Sequence, residues 1–376
     1  MIKQIINAKV VTPDGIIEDK VLCFGERIIG FFDKPDGDIE TVDADGSYLI
    51  PGLIDLHIHG YLGADASDGD EDGVRRMASG ILKNGVTSFL PTTMTLDYET
   101  LRKAFLSVAG VMSDRKAGEA QVLGVHAEGP FINESKKGAQ SGEFVKKPDA
   151  QFILSHKDVI KMVTVAPETD DGFEFVKTVS KAGIVVSIGH SDADYKTANG
   201  SIEAGITHAT HLFNAMSVIT HRAPGAAGAA LFSPNVSCEM ICDTFHVHQA
   251  LFEPVFRLKG EKFNLITDCM RAAGLPDGEY DLGGQNVKVS GIKCVLSDGT
   301  IAGSVLKLNK AVYNLMQAGI TMEEAVAAAS LYPAKALGIE KERGSIAEGL
   351  VSDLVIVDKD MNVSKVFVSG ELEYQK

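Results

Sequence analysis

The sequence contains no run of Lys and Arg and no long continuous apolar stretch. With 36 Lys+Arg against 51 Asp+Glu and a net charge of -15, the first absence argues against a surface built for nucleic acid or an anionic membrane. A phosphate ligand remains compatible, because one Arg and a few backbone N–H groups can hold it. The second absence excludes a membrane-spanning helix, which needs roughly 18 or more apolar residues. The opening MIKQIINAKVV has no basic segment leading into an apolar core and cleavage site, so no signal peptide and a cytoplasmic location are expected. The 5 cysteines form no C-x-x-C and are odd in number, so they are read as reduced, buried small hydrophobes. No self-similar period and no low-complexity linker interrupts the chain. What is present is ordinary globular composition, 45% apolar and 23% charged, which excludes disorder, collagen-like repeats and coiled coil. A chain of 376 residues is long enough for one large domain and a minor one.

Short β-branched runs recur, each ending in a polar or Gly-containing turn. They are LIPGLIDLHIH (49–59), VTSFLPTT (86–93), VLGVHAEG (122–129), IKMVTVAPE (160–168), GIVVSIGH (183–190), THATHLF (207–213), SCEMICDTFH (237–246) and FNLITD (263–268). Helical patterns such as 73–85 and 173–183 lie between several of them. Strands alternating with helices imply a parallel sheet, and eight units imply a closed (β/α)8 TIM-like barrel, for which ~250 residues is typical. The ends differ. Residues 1–48 alternate in the β manner, with turns at Pro13-Asp14-Gly15 and Pro35-Asp36-Gly37, and so does the tail 352–372. The expected organisation is a barrel over 49–340 and a small β-sandwich domain assembled from 1–48 and 341–376. Thr321 with Glu324 reads as the capping box of a helix over 321–338.

Metal-competent residues fall at the C-terminal ends of the expected strands: His57 and His59 after the first, Glu128 after the third, His190, His211 and His246 after the fifth to seventh, and Asp268 after the eighth. In a barrel, catalytic groups project from that rim. His57 and His59 share a face of their strand and can chelate one ion, and the two oxygens of Glu128 can bridge two ions. A single histidine at a strand end is more often a packed core residue, but this many metal-type residues on one rim point to a metal site. Asp268 also suits a helix N-cap, yet a carboxylate near an activated water is a general base. The pattern points to metal-assisted hydrolysis. His126 and His208 are read as packed or supporting residues, and His156, His221 and His248 as helix-surface or loop residues.

PGLIDLHIHG (51–60) resembles the first-strand signature of the amidohydrolase superfamily. HAEGPFINESKKGA (126–139), GHSDA (189–193), THLFNAMSVITHRAPGAAGA (210–229), DTFHVH (243–248), TDCMRAAG (267–274) and IAGSVL (301–306) narrow the resemblance to the N-acetylglucosamine-6-phosphate deacetylases within it. GSIAEGLVSDLVIVD (344–358) is similar to that family's return into its small β domain. The resemblance implies a barrel with a β-sandwich appendage, a cytoplasmic homodimer in amino-sugar catabolism, and removal of acetate from N-acetylglucosamine 6-phosphate. It implies Glu128, His190 and His211 as core metal ligands, Asp268 as acid/base and His246 as the residue that polarises the acetamide carbonyl. Asn214 and Ala215 match positions near the sugar phosphate. Arg222 matches an arginine that reaches phosphate from the neighbouring subunit. Ala139, the segment Asp243, Thr244, Phe245 and His246, and Ile301, Ala302 and Gly303 match other substrate-contacting stretches. Where the family often has His, this chain has Gln140, which can donate a hydrogen bond but cannot carry a proton. Some members replace the HxH pair and hold one metal; with His57 and His59 intact, one or two divalent ions per subunit (Zn, Fe, Mn or Co) are compatible.

Two rivals remain. Another amidohydrolase, such as a deacetylase of a related N-acetyl sugar phosphate or a cyclic-amide hydrolase, would use the same fold. Many cyclic-amide members carry a bridging carboxylated Lys, and no Lys ends the fourth run, VTVAPE. An inactive scaffold would lack a ligand or the base, and all are present.

Overall fold

The computed structural model describes residues 1–376. Its centre is a ring of parallel strands: Leu53–Ile58, Val86–Thr93, Val125–Glu128, Ile160–Val165, Val185–Ile188, His208–Ala209, Ser237–Met240 and Phe263–Leu265. Each pairs in parallel with the next. The ring closes where Asp268 N donates to His57 O at 2.8 Å and Ile58 bridges to Cys269. Every residue of the first three strands is buried, as expected when a parallel sheet is covered on both faces. Helices such as Glu71–Ile81, capped by the Asp70 carboxylate accepting from Asp72 N and Gly73 N, and Glu174–Lys181 alternate with the strands. This is the (β/α)8 barrel expected from the alternation.

The apolar run at 49–59 divides between two sheets. Tyr48–Pro51 pairs with Lys9–Thr12 and Leu354–Val357, while Leu53–Ile58 enters the barrel. The division falls at Gly52, where a Cβ would lie 2.0 Å from Thr87 Oγ1. The chain crosses into the barrel there, past the expected 48/49 boundary. The termini form a sandwich: one sheet contains Lys3–Ile6, Val21–Phe24, Ile28–Phe32 and Glu40–Asp43, and the other joins N-terminal strands to Leu354–Val357, Val363–Val368 and Glu371–Gln375. Ile5, Leu22 and Phe24 from the first sheet meet Val10, Leu49, Ile356 and Phe367 from the second. The Phe24 and Phe367 rings meet edge to face at 5.5 Å.

Two features depart from expectation. The helix over 321–338 is two helices, Met322–Ala327 and Leu331–Leu337. The capping box of Thr321 and Glu324 is present, but Pro333 has no N–H to offer the Ala329 carbonyl one turn earlier. The carbonyls of Ala328 and Ala329 instead accept from Leu265 and Ile54, binding this break to the eighth and first barrel strands. An antiparallel three-stranded sheet, Gly278–Leu282, Gln285–Ser290 and Lys293–Val295, also interrupts the barrel. Leu282, Val287, Val289 and Cys294 pack from it onto Met94, Met270 and Ala302, so it roofs one side of the barrel mouth.

Candidate active site

The expected ligands converge although they come from distant parts of the chain. His57 is the penultimate residue of the first strand and Glu128 closes the third; His59, His190, His211 and Asp268 lie just past strand ends. The seventh strand ends at Met240, so His246 sits in the following loop rather than at the strand end. His190, His211 and Asp268 have positive φ of 47°, 30° and 50°. Such backbone is costly for residues with a Cβ and collects at functional sites. Gly60, next to the pair, lies against the eighth-strand loop so closely that a Cβ would be 2.6 Å from Arg271 N.

Glu128 is the hub. Its Oε1 lies 2.9 Å from His211 Nε2, 3.2 Å from His190 Nε2 and 3.5 Å from His57 Nε2; its Oε2 lies 3.3 Å from His59 Nε2. Asp268 Oδ1 is 3.2 Å from His59 Nε2 and 3.6 Å from His57 Nε2. It is buried and makes no hydrogen bond of acceptable geometry. The ring protons can be assigned from partners that only accept. His57 Nδ1 faces Glu239 Oε2 at 2.9 Å, His59 Nδ1 faces Thr92 O at 3.1 Å and His190 Nδ1 faces Lys136 O at 2.8 Å. Each Nδ1 therefore carries a proton and, in the neutral ring, Nε2 offers a lone pair to the centre. Two Nε2 atoms face each other at 3.2 Å in the His57/His59 pair, and two more in the His190/His211 pair. In the His57/His59 pair, where both Nδ1 atoms carry the ring proton, the facing lone pairs repel one another unless positive charge lies between them.

The electrostatics agree. Burial pushes Glu128 and Asp268 up, but the neighbouring imidazoles outweigh it: His190 and His57 hold Glu128 well below the usual carboxylate range, and His57 and His59 lower Asp268. Conversely, burial opposes charge on His211, but the hydrogen bond and charge of Glu128 raise it to about 9. A buried centre this rich in carboxylate draws in cations as readily as protons. His57, His59 and Glu128 form one three-residue group of ligand spacing, and Glu128, His190 and His211 another. The nitrogen and carboxylate donors, the facing lone pairs and the orphaned Asp268 oxygen fit one or two divalent cations. Gln140 is buried beside this centre; its amide donates to Glu128 Oε2 while its carbonyl accepts from Thr95 N at 2.6 Å. It acts here as a neutral clamp on the hub carboxylate.

A cavity of about 390 Å³ opens over the centre. Ala139, Gln140, Asn214, Ala215, His246, Ile301 and Gly303 line it. Ala302 is wholly buried in the core beneath the roofing sheet and does not line it. Asp243 instead accepts from the backbone of Phe245 and His246 at 2.8 Å and fixes the His246 ring through Nδ1 at 2.7 Å. Thr244 is exposed, beside a neighbouring groove, and Phe245 stacks edge-on to His246 at 5.9 Å. Arg222 is exposed in the segment containing Val218 and Ile219 and does not reach the cavity of its own chain. The cationic side chain lining that cavity is Lys136, paired with Asp192 at 3.2 Å.

Sequence reasoning passed over Glu239. It lies fully buried on the seventh strand, between His57 and His208; a charged residue inside an apolar run was the signal. Asp55 was also passed over. It is fully buried, accepts from Thr267 Oγ1 at 2.6 Å, and joins the first strand to the residue before Asp268. Burial pushes its pKa up to about 7 against the hydrogen bonds from Thr267 and His57. His126 is a core residue, as read from sequence. Its nitrogens meet Thr164 Oγ1 and Leu56 O, and burial together with the His57 charge lowers it to about 3.

A barrel whose C-terminal mouth gathers four histidines and two carboxylates around one point defines a metal-dependent hydrolase. A sequence model described as the amidohydrolase family matches residues 48–372, and the chain belongs to that family. Among its relatives, the N-acetylglucosamine-6-phosphate deacetylase of Lysinibacillus sphaericus is 38% identical over 343 residues, spanning 90% of this chain and 88% of its own. The N-acetylgalactosamine-6-phosphate deacetylase of Escherichia coli O157:H7 is 31% identical over 369 residues, 97% of each chain. The crystal structure of N-acetylglucosamine-6-phosphate deacetylase from Pasteurella multocida superposes with a TM-score of 0.96 at 31% identity, covering 100% of both chains.

Proposed function

We propose that the protein hydrolyses the acetamide of N-acetylglucosamine 6-phosphate, giving glucosamine 6-phosphate and acetate. The observation that carries this reading is the convergence of Glu128, His57, His59, His190, His211 and Asp268 beneath a cavity of about 390 Å³, in a chain similar to deacetylases over nearly its full length. Glu128, His190 and His211 would hold one divalent cation, and His57 and His59 with Glu128 a second, from among Zn, Fe, Mn and Co. A bound cation supplies charge that makes water more acidic and polarises an amide carbonyl. Asp268 takes one proton of the attacking water and delivers it to the amine nitrogen as the C–N bond breaks, and the second proton of that water passes from the new carboxylic acid to the amine, so acetate and an ammonium group leave with protons balanced. His246, held by Asp243, donates toward the carbonyl oxygen where negative charge develops.

The phosphate end falls to Asn214, Ala215 and Arg222. Arg222 lies outside its own cavity, in an exposed segment with Val218 67% exposed, which supports its delivery into the cavity of a second copy in a homodimer. The planar guanidinium suits phosphate oxygens. A charged hydrogen bond contributes about 1.5–3 kcal/mol, so Arg222→Ala is expected to raise KM for the phosphorylated substrate about 10–100-fold with kcat little changed. Steady-state kinetics decide this, and an unchanged KM removes Arg222 from the phosphate site.

The E. coli O157:H7 relative acts, by its name, on the galactosamine epimer. Acetate release should therefore be compared across N-acetylglucosamine 6-phosphate, N-acetylgalactosamine 6-phosphate and unphosphorylated N-acetylglucosamine. The expected result is the highest kcat/KM on the first and a loss of at least about tenfold without the phosphate. Preference for the galactosamine epimer would move the assignment to that substrate, and equal rates with and without phosphate would overturn the sugar-phosphate reading.

A further inference from the structure

The supports behind the candidate ligands are not alike. His59 and His190 each donate from Nδ1 to a main-chain carbonyl, at Thr92 and Lys136. His57 is supported by a side chain, Glu239, at 2.9 Å. Glu239 is 0% exposed, and both its oxygens are committed. Oε2 also accepts from His211 N at 3.0 Å, and Oε1 lies 3.2 Å from His208 Nε2. One carboxylate thus fixes the ring of His57 on one side of the centre and the main chain of His211 on the other. His211 adopts a φ of 30° and its own Nδ1 has no partner; the bond from its N–H to the Glu239 carboxylate joins Leu212 N to Glu239 O at 2.9 Å and Asn214 N to His211 O at 3.0 Å in holding that turn.

We propose that Glu239 is a positioning residue that sets the affinity of the His57/His59 side for a divalent cation and ties that side to the Glu128/His190/His211 side. The inference rests on the cation-holding reading given above. A carboxylate behind a ligating imidazole fixes its tautomer and plane and raises the basicity of the ligating nitrogen; losing such a support weakens metal affinity about 10–100-fold. Of the three Nδ1 supports, only Glu239 is a carboxylate, and only it spans both ligand groups. The competing account makes Glu239 a core partner of His208 with no influence on ligation.

The test uses full-length protein stripped with chelator and titrated with Co²⁺, followed by calorimetry and by visible absorption, which reports nitrogen ligation. A His57→Asn/His59→Asn variant marks the binding phase that belongs to that pair. Glu239→Gln, close in shape, is expected to weaken that phase about 10–100-fold and shift its spectrum. His208→Gln keeps the bond between His57 and Glu239 and is expected to leave the phase unchanged. If Glu239→Gln yields no folded protein, Glu239→Asp replaces it, since loss of one methylene withdraws the carboxylate from His57 and should weaken the same phase. Wild-type affinity in the Glu239 variant, or an equal loss in His208→Gln, overturns the inference. No Co²⁺ uptake by the wild type would instead overturn the cation reading, and the inference with it.

Discussion

Asp268→Asn is expected to fold, to keep the cation at Glu128, His190 and His211, and to lose about 10²–10⁴-fold in turnover, the usual contribution of a positioned acid/base. Asp268 lies three residues past the eighth strand, at a φ of 50°, with its amide donating to His57 O and its carbonyl accepting from Ser304 N, each at 2.8 Å. These main-chain bonds do not depend on the side chain, so the amide variant should retain the turn. The side chain places an uncommitted Oδ1 between His57 and His59. Asn fills the same space but cannot accept and return a proton. Elemental analysis beside acetate-release kinetics checks both halves of the expectation. Turnover within tenfold of wild type would take proton transfer away from Asp268; loss of all bound cation would recast it as a ligand first.

Much of this site was legible because the chemistry lies at strand ends and strand ends are marked by a change from β-branched to polar residues. His57 and His59 at i and i+2, Glu128 closing its strand, and Asp268 ending FNLITD place themselves on one rim from sequence alone. The sandwich was legible from β alternation at both termini, since alternating segments with one apolar face must find a partner. What was hidden depended on contacts between distant residues. The break at Gly52 depends on Thr87, 35 positions later. The sixth strand is only His208–Ala209, so THATHLF is mostly loop, shaped by positive φ at His211 and Phe213. Glu239 was overlooked because one charge in an apolar run is ambiguous until His57, 182 positions away, is seen against it. Ala302 was expected at the substrate, yet it is buried under a sheet that the sequence reading did not anticipate.

Glu128→Gln is expected to have an effect of a different kind, removing cation and turnover together. Glu128 belongs to both ligand groups: its Oε1 faces His190, His211 and, at 3.5 Å, His57, and its Oε2 faces His59. No other residue connects the pairs in this way, so one substitution weakens every cation position at once. The amide preserves volume, which avoids opening a cavity, but it removes the negative charge and turns one donor atom into an N–H2 group. Burial opposes charge on His57, His59 and His211; His57 is raised by Glu239 and then Glu128, His59 by Asp268 and then Glu128, and His211 first by Glu128. Without that charge the histidines become easier to leave neutral, so the variant should fold. Electrophilic help from a bound ion is worth several kcal/mol, and about 1.4 kcal/mol is tenfold in rate, so turnover should fall by at least about 10³-fold. Cation content and acetate release, measured on one preparation with circular dichroism as the check on folding, separate this from Asp268→Asn, which keeps its cation. A folded Glu128→Gln protein that retains both cation and activity would show that Glu128 is not the shared ligand, and the two halves of the site would then have to be held independently by His57 with His59 and by His190 with His211.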